Sequence, residues 1–298
     1  MEKETPSGKS VTERLGKLAR RYPFVGSGIL GCSFFGEQIP WRSLGEGLPI
    51  RYIGGHHGME AITAALLLRF AEELCRMIEE KSSVCGVNAG YLLRHRRICI
   101  LPLLNPDGAM IAGGGLTPDH PLYPRLRKMN GSDDFSRWQS NGRGVDLNHN
   151  YNAGFAEYAA LAAREGLMPG PTRYPGDYPE SEPETAALCA LVRRLRPALS
   201  LTLHTQGEEI YASSCGVPHP RSAAIAATAE RLTGYRFAMP EGCSAYGGYT
   251  DWVIGELGLP SLTVECGKGQ NPLPLSDAPV IYDRIRPLLF RAPTLVGE

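Results

Sequence analysis

Four short apolar runs separated by helical patterns constrain the fold of this 298-residue chain more than any other feature. They are residues 50–53 (Ile-Arg-Tyr-Ile), 97–104 (Arg-Ile-Cys-Ile-Leu-Pro-Leu-Leu), 198–203 (Ala-Leu-Ser-Leu-Thr-Leu) and 261–264 (Ser-Leu-Thr-Val). Runs of this length, rich in β-branched residues and bounded by Gly, Pro or polar turns, read as buried strands. Helical periodicity appears over 11–21, 61–79, 181–195, 220–232, 247–257 and 277–289. Strands alternating with helices predict an α/β fold, a mixed and largely parallel sheet with helices on both faces. Residues 27–53 add a hairpin followed by a third strand, punctuated by Gly36-Glu37 and Gly45-Glu46-Gly47. With no internal repeat and no linker composition, residues 1–298 read as a single domain, the first 21 residues forming a polar N-terminal segment. In such sheets, sites form beyond the carboxyl ends of the strands. His57, Asn105, His204 and Glu265 each follow a predicted strand, at one expected rim.

The turn Gly54-Gly55-His56-His57-Gly58-Met59-Glu60 joins the first of these runs to the helix over 61–79. His57 and Glu60 stand three apart, a step that brings an imidazole and a carboxylate to the same side of a first helical turn. Taken alone, the pair also reads as solvated or capping residues at a helix N-terminus, and His204 as a satisfied core imidazole. Together they supply two His and one Glu, which leaves a fourth zinc position open to water, the catalytic arrangement. Glu265, a carboxylate at a strand end in an apolar stretch, is then placed to act as general base, though by itself it could be a strand terminus paired with Lys268. The ligand types indicate one Zn2+; other divalent ions accept the same donors. His56 reads as structural support.

Long irregular stretches cover 113–143 and 168–180, the second holding four prolines. Loops of that length in a compact domain are usually functional or disordered. Ser181-Glu182-Pro183-Glu184 has capping-box spacing.

The order of motifs resembles the zinc carboxypeptidase superfamily, the carboxypeptidase A-like enzymes: His57-x-x-Glu60, Asn105-Pro106-Asp107-Gly108, Gly144-Val145-Asp146-Leu147-Asn148, His204 at a strand end, then Glu265. The resemblance implies an eight-stranded sheet between helices, with zinc on His57, Glu60 and His204 and Glu265 as general base. It also implies that Arg143 stabilises the oxyanion and that Asn148 contacts substrate. Two positions depart from the family pattern. His149 stands where members carry an Arg that clamps a C-terminal carboxylate, a bidentate contact that His does not reproduce. Cys243 stands where the digestive enzymes carry a substrate-covering Tyr, with Tyr246 and Tyr249 nearby as substitutes. The stretches 204–211 and 265–274 are similar to those of bacterial γ-D-glutamyl-meso-diaminopimelate peptidases. That implies a peptidoglycan-derived peptide as substrate, with Lys268 and His149 as candidate contacts for its carboxylates. The rival readings are a broader metallocarboxypeptidase, an acylase for small substrates, and a non-catalytic zinc-dependent binder of cell-wall peptides.

Composition narrows the partners. Formal net charge is zero, with 31 basic and 31 acidic residues, which predicts neither nucleic acid nor an anionic membrane surface as partner. Eight cysteines occur without any Cys-x-x-Cys pair, and several sit among apolar residues. They read as buried free thiols and, with no secretory signal recognisable at the N-terminus, predict a cytoplasmic protein.

Overall fold

The computed structural model of the chain describes residues 5–297. Its centre is an eight-stranded mixed sheet. In chain order the strands are β1 (Gly26–Cys32), β2 (Gln38–Leu44), β3 (Leu48–Ile53), β4 (Arg96–Leu101), β5 (Leu199–His204), β6 (Glu209–Tyr211), β7 (Arg236–Phe237) and β8 (Ser261–Glu265). Across the sheet they lie in the order β1-β2-β4-β3-β5-β8-β6-β7. β1 and β2 form the expected antiparallel hairpin. β3 leaves it to pair in parallel with β4 on one side and β5 on the other. β8 extends the parallel set from β5, with Glu265 directly opposite His204. The strand ends that carry His57, His204 and Glu265 are therefore immediate neighbours, on a rim shared by β3, β5 and β8.

The alternation of side chains along these strands gives the sheet two unlike faces. Ile50, Tyr52, Leu199, Leu201, Leu203, Leu262 and Val264 enter one large apolar core with helices Gly8–Arg21, Ile62–Glu79, Pro220–Thr233 and Ala278–Arg291. The opposite parity places Ser200, Thr202, Ser261 and Thr263, all buried, on the other face. His204 and Glu265 continue that polar parity at the strand ends. A second core covers this face, formed around Tyr151, Leu188, Val192, Tyr249 and Trp252 from helices Pro183–Leu195 and Tyr249–Gly255 and the adjoining loop.

Three local expectations are corrected. Residues 113–143 are not wholly irregular: helix Tyr123–Asn130 lies within them. A third cluster, Ile111, Leu116, Leu126, Phe135 and Trp138, gives the segment its own small core. Helix Phe155–Arg164 has no counterpart among the sequence-based expectations. The capping box at 181–184 does not form; Glu182 is the N-cap residue without a side-chain cap, because Ser181 Oγ turns to Glu182 Oε1.

Behind the rim, a buried group of carboxylates holds the loop that returns to the site. Asn141 Nδ2 donates to Glu182 Oε2 at 2.8 Å and to Glu184 Oε2 at 3.3 Å. Its Oδ1 accepts from the backbone of Arg143 and Val145. Burial, reinforced by the charges of Asp107 and Glu182, pushes the Glu184 carboxyl up to about 8. A raised carboxyl means the folded chain keeps a proton that the unfolded chain has released. Stability contributed at low pH is then lost as pH rises from the ordinary glutamate range toward 8. Glu184→Gln removes that titration. The stability of this variant relative to the wild type should rise by about 1.4 kcal/mol per pH unit between pH 5 and 8, measured by denaturant unfolding across that range; a pH-independent difference would refute the assignment.

Candidate metal and active site

The turn after β3 is built by glycines that admit close backbone approach. A Cβ on Gly58 would lie 2.3 Å from the Gly108 carbonyl oxygen, so the turn packs directly on the start of helix Pro106–Ala112. Asn105, the N-cap of that helix, accepts from Gly108 N with Oδ1. With Nδ2 it donates to the carbonyls of His56, Gln139 and Ser140. Thr63 Oγ1 donates to the Glu60 carbonyl and accepts from Gly55 N, closing the other side of the turn. His56 lies within hydrogen-bonding distance of Tyr151 Oη and Thr202 Oγ1 and is wholly buried, in keeping with structural support.

This scaffold brings His57, Glu60 and His204 together, with one ligand atom from each lying within 4.8 Å of the others. His57 Nδ1 is 2.9 Å from Glu60 Oε1, and His204 Nδ1 is 3.2 Å from Glu60 Oε2. The two Nδ1 atoms face each other at 3.4 Å. Two imidazole nitrogens facing each other beside a buried carboxylate form a donor set that fits a metal ion of the zinc type. His57 Nε2 lies 3.2 Å from Asp146 Oδ1. That contact leaves Nδ1 free to ligate and fixes the ring orientation, a support common to metal-bound histidines. Asp146 is itself held by the backbone N–H groups of Asn148 and Arg173. The sequence reading quoted Asp146 only as part of a motif; its partnership with His57 spans 89 residues and has no local signal.

The electrostatics agree. Burial would lower the His57 pKa, but the charges of Glu60 and Asp146 override it and hold the imidazole well above its ordinary value. Burial opposes ionisation of Glu60 too, yet His57 and the hydrogen bonds from both histidines pull it down to about 2. Asp146 is held below the usual carboxylate range: His57 and His149 outweigh its burial. Glu265, half-buried across the rim, behaves oppositely. Burial and then the charge of Glu60 raise it well above the glutamate value. Burial disfavours its charged form, the opposite of the pull that His57 exerts on Glu60.

Around these groups lies a cavity of about 190 Å³, whose wall includes Gln139, Asn148, His149, Tyr211, Ser213, Thr250, Asp251 and Thr263 as well as the ligand set and Glu265. Among the described residues no Lys or Arg lines it. Asn148 and His149 are thus where the sequence reading put them. Asn148 Oδ1 accepts from Tyr249 N, leaving its Nδ2 unengaged among the described residues. His149 stacks on Tyr158 with ring centroids 4.0 Å apart. Its Nδ1 is 2.9 Å from the Tyr246 carbonyl, and burial lowers its pKa. A neutral ring donating through Nδ1 presents only a lone pair at Nε2, which suits a donor rather than a carboxylate.

Four expected residues do not reach this wall. Arg143 places its guanidinium 3.7 Å from Glu182 Oε1 and over the Phe34 ring; the wall residue from that segment is Gln139. The Gln139 Oε1 accepts from Thr172 Oγ1, and its Nε2 makes no hydrogen bond among the described residues. Tyr249 cannot cover substrate: it is fully buried, bonded to Ser200 and packed on Tyr151 and Trp252. Tyr246 contributes its carbonyl to His149 while its ring packs on Gly154. Lys268 is exposed, 3.0 Å from Glu208 and in a separate surface pocket. The side chain of Cys243 lies outside the described residues.

A ligand set for an ion, a carboxyl group across the rim from it and unengaged amide donors around one cavity are what metal-assisted hydrolysis requires. The class defined by this fold and site is a metallopeptidase. The chain belongs to the zinc carboxypeptidase family, whose model it matches over residues 45–282. It is 32% identical over 268 residues to gamma-D-glutamyl-L-diamino acid endopeptidase 1 of Lysinibacillus sphaericus, covering 89% of this chain and 66% of that protein. It is 30% identical to the uncharacterised protein YqgT of Bacillus subtilis, over 95% of this chain and 76% of that one. In fold it matches bovine thrombin-activatable fibrinolysis inhibitor, with TM-score 0.72 at 20% identity over 98% of this chain and 96% of that one. It also matches the murein-tripeptide amidase MpaA of Escherichia coli O157, with TM-score 0.55 at 22% identity over 89% and 92%.

The role of Asp146 is open to direct measurement. Asp146→Asn should weaken zinc binding about 10- to 100-fold, read by competition with a chromophoric chelator, while thermal unfolding of the zinc-loaded variant stays cooperative. Unchanged zinc affinity would remove Asp146 from the metal centre.

Proposed function

We propose that this chain hydrolyses the bond between the γ-carboxyl of D-Glu and a diamino acid in peptidoglycan stem peptides, meso-diaminopimelate being the first candidate. The observation that carries this is the 32% identity to a γ-D-glutamyl-L-diamino acid endopeptidase across 89% of the chain. Among the described residues the cavity wall carries no Lys or Arg, so the bidentate Arg clamp of an ordinary carboxypeptidase is not formed there.

His57, Glu60 and His204 are assigned as the zinc ligands. A bound zinc ion supplies Lewis acidity there, easing deprotonation of water and polarising the scissile carbonyl. Glu265 takes the proton of the attacking water and returns it to the amine as the carbon–nitrogen bond breaks. The Gln139 amide, oriented by Thr172, donates to the carbonyl oxygen as charge develops on it, the task first expected of Arg143. Asn148 positions the peptide with its unengaged Nδ2. The reaction is assigned to the cytoplasm, because the cysteines Cys32, Cys75, Cys85, Cys99, Cys189, Cys215 and Cys266 are all free thiols.

The test is product analysis by mass spectrometry, with zinc-loaded protein given L-Ala-γ-D-Glu-meso-diaminopimelate and an ordinary L-peptide together. Free diaminopimelate with the L-peptide intact is the expected result. C-terminal trimming of the L-peptide would replace the proposal with a broader carboxypeptidase. On the cleaved substrate, Glu265→Gln should lower kcat by about 10²- to 10⁴-fold. Gln139→Ala should cost about 10²- to 10³-fold in kcat with little change in KM, whereas Arg143→Ala should stay within a fewfold of wild type. The reverse ranking of these last two would return the oxyanion to Arg143.

A further inference from the structure

One charged side chain of the interior takes no part in the chemistry assigned above. Arg51 lies on β3, near the middle of the sheet, and is 1% exposed. Ile50 and Tyr52 on either side of it enter the large apolar core, so Arg51 points to the opposite face, beneath the second core. Its cross-strand neighbours are Cys99 on β4 and Ser200 on β5. All three guanidinium nitrogens, Nε, Nη1 and Nη2, are enclosed and make no hydrogen bond among the described residues.

A guanidinium carries five N–H donors and keeps its proton in proteins. A charge at such depth is normally paired and hydrogen-bonded. The groups around Arg51 supply no counter-charge. The titratable side chains that reach it are Tyr249, Cys99 and Tyr151. Burial raises all three, Tyr249 to about 12, so each is uncharged near neutral pH. Their polar atoms are engaged elsewhere. Tyr249 Oη meets Ser200 Oγ at 3.0 Å, Tyr151 Oη meets His56 Nε2 at 3.0 Å, and Cys99 Sγ donates to the Arg97 carbonyl at 3.8 Å. The Trp41 ring lies 6.0 Å from the guanidinium carbon, at the limit of a cation–π contact. Glu180, whose charge acts on Tyr151, is held through both oxygens by Arg193.

We infer that Arg51 anchors an internal anion site, occupied by a small monovalent anion of the chloride type. Such an ion accepts several N–H bonds at once and brings one negative charge with no further atoms to bury. A carboxylate would carry the rest of its molecule into a core packed by Leu188, Val192 and Trp252. A phosphate would bring more charge than one guanidinium offsets. The site is separate from the metal cavity, whose wall does not include Arg51. It is linked to the metal turn through Tyr151, which meets His56. The inference does not rest on the function proposed above.

The experiment is thermal unfolding of the zinc-loaded protein in sodium chloride and, at equal ionic strength, in sodium gluconate, whose anion is too large to be enclosed. An anion that binds only the folded chain raises Tm with its concentration, by about 3 °C at tenfold above its Kd for a chain of this size. Arg51→Met keeps the length of the side chain and removes the charge. Its Tm should be the same in the two salts. Chloride on the bound metal would act on wild type and variant alike, so the variant separates the two places. A wild-type Tm indifferent to chloride, or an equal rise in Arg51→Met, would overturn the site. Where Arg51→Met does not fold, wild-type crystals grown in bromide decide. An anomalous peak within hydrogen-bonding distance of the Arg51 nitrogens is expected; a water there, or no peak, would overturn the inference.

Discussion

One buried carboxylate ties the rim of the sheet together. Glu60 meets His57 from its own turn, His204 from the end of β5 and the Thr205 N–H beyond it. Asn271, from the loop after β8, donates to it as well, at 3.5 Å. A charge at that depth is tolerated only where opposite charge and hydrogen bonds surround it. The turn, the two strand exits and the loop must therefore close on the same point. A metal ion answers the same requirement, so the contacts that hold the rim also define what it binds.

The supporting groups follow from that centre. Asp146 orients His57 from a loop that is anchored by Asn141 on the buried carboxylates and by its own contacts to the Arg173 backbone. Asn105 pins the metal turn to the segment carrying Gln139. The protein places neutral amides and hydroxyls, not cations, around its reaction centre. Glu60, Glu265 and Asp251 stand within the same small cavity. Gln139, proposed above as a donor to the scissile carbonyl alongside the metal, is oriented by Thr172.

Much of this was legible in the chain. The α/β alternation, the strands ending at His204 and Glu265, and the His57–Glu60 step are local patterns with a fixed geometric meaning, and each appears where the pattern puts it. The expected residues that lie off the cavity wall share a cause. Tyr249 has the composition of a substrate contact, but helix parity turns it into the core beside Trp252. Lys268 and Arg143 have suitable charge, but each is engaged by a glutamate away from the cavity. Gln139 carries no local signal of its place on the cavity wall, since nothing in a neutral amide beside Trp138 distinguishes it from a surface residue. The helix at Tyr123–Asn130 was obscured by the glycines and prolines around it, and forms on apolar contacts with Leu116, Phe135 and Trp138 that lie outside any local window.

The period-two pattern of the central strands assigns their side chains to one face or the other, whereas the short strands β6 and β7 carry no such local signal. It thereby determined that His204 and Glu265 leave on the polar face, next to the turn holding His57 and Glu60. Packing brings the distant groups around the ligand set: Asp146 behind His57, and Gln139 and Asn148 with donors unengaged among the described residues. The physical reason is range. Backbone periodicity is set by neighbours a few residues apart. The orientation of a hydrogen-bonding side chain is set by partners dozens of residues away, which packing alone brings within reach.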